Sequence, residues 1–145
     1  MAVVSLYGIT SLILSLVGFY QSHRKRNAYG NFYPASIIGA FVWGDAAIFG
    51  LFWFLTSLFC LILNDWILFL LIFSLFWMVC SLGETIWCFL MQFVSLKRYP
   101  LEHFFLHGLF HDESILFVHQ IILQCITVVS LLASLYFGKM WLGKI

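Results

Sequence analysis

Leu61-Ile62-Leu63-Asn64-Asp65-Trp66-Ile67-Leu68 is the stretch whose reading decides the fold. Apolar residues run far to either side, and the pair Asn64-Asp65 interrupts them as the tight turn of a helical hairpin. Upstream the apolar run reaches back to Ser36, and downstream it continues to Ser95. Outside the turn these two arms hold one charged side chain each: Asp45, in Trp43-Gly44-Asp45-Ala46, and Glu84, in Leu82-Gly83-Glu84-Thr85. The two acids are equidistant from the midpoint of the turn, 19.5 positions on either side. In an antiparallel hairpin this predicts that they share one depth. An ionisable residue in a membrane span is costly enough to mark a candidate site.

Composition sets the class. The chain has 145 residues, 63% hydrophobic and 9% charged, against roughly 25% charged in an ordinary soluble domain. The expected fold is an all-α integral membrane protein, a four-helix transmembrane bundle with a short amphipathic interfacial segment between helices 3 and 4. It is read as a single transmembrane domain over residues 1–145, with spans at about 2–20, 36–63, 66–95 and 114–138. A net charge of +1, confined to loops, gives no basic face, and nucleic acid is not an expected partner. The lipid bilayer is, and a second membrane protein or a second copy of the chain is the further partner class that small-residue helix faces would serve.

The first run, Ala2 to Tyr20, lacks a basic region ahead of it and has its basic cluster behind. It therefore reads as a retained span rather than a signal peptide. Gly8, Gly18, Ser5, Ser11 and Ser15 offer close approach to a neighbouring helix. The second span carries Ala40 with Gly44 and Ala46 with Gly50, small-xxx-small pairs beside Asp45 that suit helix contact. On the third, Glu84, Cys88 and Gln92 recur every four residues as a polar stripe. Both acids lie ~29 Å of helix from the turn, so they belong near the opposite interface rather than at the midplane.

Pro100 opens the second informative loop. There His103, His107 and His111 repeat every four residues, with Leu101, Phe104, Phe105 and Leu109 off that line, as expected of a short amphipathic helix in the interface. Gly108 weakens it. In the fourth span His119, Gln120, Gln124, Thr127, Ser130 and Ser134 fall within one sector of about 140°. Five lysines and arginines (24, 25, 26, 97, 98) lie on the side of the first and third loops, against Lys139 and Lys144 on the other. The positive-inside rule then puts loops 21–35 and 96–113 in the cytoplasm and both termini on the opposite side.

The chemistry follows from these placements. Cys60, Cys80, Cys88 and Cys125 form no Cys-x-x-Cys pair and read as small buried hydrophobes. A Gly-rich phosphate loop, a Gly-x-Ser-x-Gly elbow and a His-Glu-x-x-His motif are all absent. The leading expectation is binding or transport of a small ligand, proton or cation at Asp45 and Glu84. His119, Gln120, Gln124 and Gln92 would complete that pocket, with no cofactor. Two partly desolvated carboxylates near each other cannot both ionise cheaply, and a shared proton or bound cation relieves the repulsion. One alternative is a metal-dependent membrane-interface enzyme holding one zinc or iron ion at His103, His107 and His111. The other is a non-catalytic subunit or assembly partner of a membrane complex.

Overall fold

The apolar runs become helices in the computed structural model, which describes residues 1–28, 30, 33–91 and 114–144. These helices are α1 (Ala2–Arg24), α2 (Trp43–Ile62), α3 (Trp66–Met91) and α4 (Ser114–Leu142), with a 3-10 segment at Tyr33–Ile38 between the first two. All four are long and apolar enough to cross a membrane. No sheet occurs among the described residues. The chain divides into two compact units, Met1–Leu70 and Leu71–Ile145. The first holds α1, α2 and the start of α3, and the second holds the rest of α3 with α4.

In the first unit the buried positions of α1 are Val4, Gly8, Ser11, Ser15 and Gly18, and those of α2 are Ala46, Gly50, Trp53, Ser57 and Cys60. Both sets advance by alternate steps of four and three, so each helix presents one straight stripe, mostly of small residues, to the other. The stripes meet antiparallel. Gly8 lies against Ser57, Gly50 against Ser15, and Gly18 against Ala47. Backbones touch here: a Cβ added to Gly18 would stand 2.7 Å from both Ala47 N and Trp43 O. The Ser15 hydroxyl bridges the pair by donating to Ala47 O at 2.7 Å. Without a hydrophobic drive between helices in lipid, such close packing and cross-helix bonding hold them together. Away from the stripe Leu51, Phe52, Leu55, Leu58, Phe59 and Ile62 are exposed, the bulky face that suits acyl chains.

The Asn64-Asp65 turn forms as the sequence predicts. Asn64 takes the left-handed conformation at φ 50°, which asparagine tolerates better than most residues. Its N–H donates to Leu61 O and that of Asp65 to Cys60 O, both at 3.1 Å, closing α2 with the two bonds of a Schellman motif. Asp65 then opens α3, its Oδ1 accepting from Ile67 N–H at 3.0 Å and Leu68 N–H at 3.3 Å. One residue ends a helix and the next begins another.

Helix boundaries differ from expectation in the second span. The helix starts at Trp43 rather than Ser36, because Gly39 turns the chain at φ 79° and Val42 is extended at φ −123°, ψ 160°. Hydropathy is blind to that break, since Ser36 to Val42 is as apolar as the helix it precedes. At the other ends α1 continues to Arg24 and α4 to Leu142, with Arg24 and Lys139 in their last turns, where cations complement the helix dipole. The end of the third span beyond Met91 and the interfacial segment between helices 3 and 4 lie outside the described residues.

Candidate functional site

Asp45 is the third residue of α2, half-buried, in its first turn. The late helix start has put it there, and a carboxylate in a first turn is stabilised by the positive end of the helix dipole, about 0.3–1 kcal/mol when exposed. Ahead of it the chain from α1 caps the helix. Trp43 N–H donates to Gly30 O at 3.2 Å and Gly44 N–H to Ala28 O at 2.9 Å. Asp45 thus belongs to the first unit and has a structural account of its own.

Glu84 belongs to the second unit, on a different kind of surface. Along α3 the buried positions Ser74, Ser81 and Cys88 recur every seven residues, as do Leu116, Leu123 and Ser130 along α4. Thr127 lies across from Ser81, with 2.9 Å between their hydroxyl oxygens. Thr127 Oγ1 also stands 2.8 Å from Leu123 O, and Ser81 Oγ stands 2.6 Å from Trp77 O. With Thr127 donating its O–H to Ser81 Oγ and Ser81 donating its own to Trp77 O, both hydroxyls are satisfied. Further along, Leu71 Cδ1 lies 3.8 Å from where a Cβ at Gly138 would stand. Numbers fall on one helix as they rise on the other, so α3 and α4 are antiparallel.

That register levels the remaining side chains. Counting outward from Ser81 and Thr127 at ~1.5 Å per residue, Ser74 stands level with Ser134 and Cys88 with Gln120. Glu84 is level with Gln124, and its level is ~7.5 Å from that of His119. Glu84, Thr85, His119 and Gln120 are half-buried, and Cys88 is fully buried. Gln124 is exposed and so leaves the seam at Glu84's own level.

Of the side chains expected at a site, Glu84, His119 and Gln120 are half-buried and stand within ~7.5 Å of one level along the α3–α4 seam. Gln124 turns away from it, Asp45 is in the other unit, and Gln92, His103, His107 and His111 lie outside the described residues. Among the described residues no three His, Cys, Asp or Glu side chains gather into a group that could hold a metal ion. Ser81 is the member that sequence reading misses. Its signal was the seven-residue recurrence of Ser74, Ser81 and Cys88, which a search for charged residues passes over.

Four apolar helices with polar seams between them define a small polytopic membrane protein in contact with the lipid bilayer. Compared with models of protein families, with characterised proteins and with solved structures, the chain matches none.

Proposed function

We propose that this membrane protein binds and passes a proton or small cation at the α3–α4 seam, with Glu84 as the carrying group and His119 and Gln120 as its polar surroundings. The observation that carries this reading is the Ser81–Thr127 contact at 2.9 Å, because the register it sets levels Glu84, Cys88, Gln120 and His119 within two helical turns. A carboxylate in a span is expensive unless it is protonated, paired or facing water. A group that alternates among those states is a carrier. Its neighbours on the seam are side chains that both donate and accept hydrogen bonds, so they can follow it through either protonation state.

Proton flux into vesicles tests this. Purified protein in phosphatidylcholine vesicles loaded with a pH-sensitive dye is driven by a potassium diffusion potential. The wild type is expected to acidify the lumen faster than empty vesicles, and Glu84→Gln to remove at least nine-tenths of the excess. His119→Gln is expected to slow it several-fold, and Asp45→Asn to leave it unchanged. Full flux through folded Glu84→Gln protein would sink the proposal. The same vesicles loaded with a sodium-sensitive dye, with sodium outside and the same potential, separate cation passage from proton passage.

We also propose an orientation, with loops 21–35 and 96–113 on the cytoplasmic side and both termini opposite. Five lysines and arginines against two support it through the positive-inside rule.

A further inference from the structure

The connection between α1 and α2 has both ends at one level and its middle at another. Its ends are clasped by the bonds from Trp43 N–H to Gly30 O and from Gly44 N–H to Ala28 O. Its middle is held much further along the helices. Trp53 donates its indole N–H to Ile38 O at 3.2 Å, and Tyr7 donates its hydroxyl to Ile37 O at 3.0 Å. Trp53 is ten residues into α2 and Tyr7 is seventeen residues before the end of α1.

Ten residues of helix are ~15 Å. Helical side chains lean toward the N-terminus, which brings the indole back somewhat and leaves Ile38 O roughly 10–15 Å below the start of α2. The return is consistent: five residues from Ile38 to Trp43 reach ~17 Å at most, and Val42 on that limb is extended. α2 has only 20 residues, ~30 Å, which a hydrocarbon core of the same thickness uses in full. A point 10–15 Å below its start is therefore well inside the bilayer rather than in a protruding headpiece.

Backbone that is not helical survives at such depth only if its polar groups are satisfied or face water. Here the carbonyls leading into the reversal are satisfied. Gly39 N–H donates to Ser36 O at 3.0 Å and Ala40 N–H to Ala35 O at 3.1 Å, while Tyr7 and Trp53 serve Ile37 O and Ile38 O. Four consecutive carbonyls, 35 to 38, each have a donor. Gly39 makes the reversal at φ 79°. Ala35, Ile38 and Ala40 are fully buried, and no charged residue occurs between Arg26 and Asp45. On the outer side Ile37 is 57% exposed and Phe41 37%, and both are apolar.

We propose that residues 33–42 form a re-entrant segment that enters and leaves the bilayer on one side, with Ile37 and Phe41 against lipid acyl chains and Tyr7 and Trp53 as the donors that make the descent tolerable. The inference stands apart from the Glu84 reading, since it lies wholly in the first unit. Spin labels test it in a chain carrying C60A, C80A, C88A and C125A, with single cysteines at Asn27, Ile37, Phe41 or the lipid-type reference Ile48, reconstituted in phosphatidylcholine vesicles. Labels at 37 and 41 are expected to match 48, with a collision ratio of oxygen to a water-soluble nickel chelate at least fivefold above that at 27. A ratio equal to that at 27 would place the segment in water and overturn the proposal. Labels reached by neither reagent would mean protein covers it, and would overturn it equally. Hydrogen exchange on the unmodified chain in the same vesicles gives a second readout if the replaced cysteines prevent folding. Amides of Gly39 and Ala40 are expected to exchange at least tenfold more slowly than that of Arg26, and equal rates would refute the segment's depth.

Discussion

Gly18 has no room for a side chain. The atoms that would meet one, Ala47 N and Trp43 O, are backbone atoms of α2, so they yield only if the two helices part. Gly18→Leu is expected to cost about 1–3 kcal/mol, the range for forcing volume into a packed interface. Reversible unfolding in mixed micelles would measure it. Gly83 is the control, since nothing lies within 4 Å of its would-be Cβ. Gly83→Ala is expected to be neutral or stabilising by up to ~1 kcal/mol through helix propensity. Both glycines look alike in the sequence. Gly8, Gly18, Ser11 and Ser15 were legible as contact formers, because small residues in a span have few other uses. That their partner is the α2 stripe from Ala46 to Cys60 was not, since any small-residue face would have served. Ser81 shows the opposite limit: one serine in a long apolar run carries no label until Thr127 stands across from it.

Among the elements, the turn at Asn64-Asp65 was the most legible, because its chemistry is local. Asparagine in the left-handed region and aspartate as an N-cap depend on neighbours within five residues. Asp65→Ala is expected to lower stability by about 1 kcal/mol, as loss of an N-cap does elsewhere, while Asn64→Gly is expected to be neutral or better. Thermal unfolding of the purified variants in one detergent gives both numbers. The start of α2 was not legible. Hydropathy sees the same apolar run in a helix and in a re-entrant segment, and what separates them is the donation from Tyr7 and Trp53 to carbonyls thirty and fifteen residues away. This shift also changes the meaning of Asp45. A carboxylate in mid-helix calls for a function, whereas one in the first turn has the dipole.

At the scale of the molecule, the proposed orientation makes a prediction of its own. Single cysteines at Lys25 and Lys97, in a chain without the native four, are expected to be modified by an impermeant maleimide only from the cytoplasmic side. One at Lys144 should react only from the other side. Labelling of positions 25 and 97 from opposite sides would exclude an even number of crossings between them.

Class, number of long helices and the central turn followed from composition and local pattern, because a bilayer demands runs of about twenty apolar residues and a turn is decided by adjacent residues. Tertiary packing decided which stripe meets which, where α2 begins, and which polar side chains share a seam. Those outcomes depend on hydrogen bonds and backbone contacts between residues far apart in the chain, such as Ser15 with Ala47, Trp53 with Ile38 and Thr127 with Ser81. Periodicity along one helix shows that a face exists. Only the neighbour packed against it determines what that face is for.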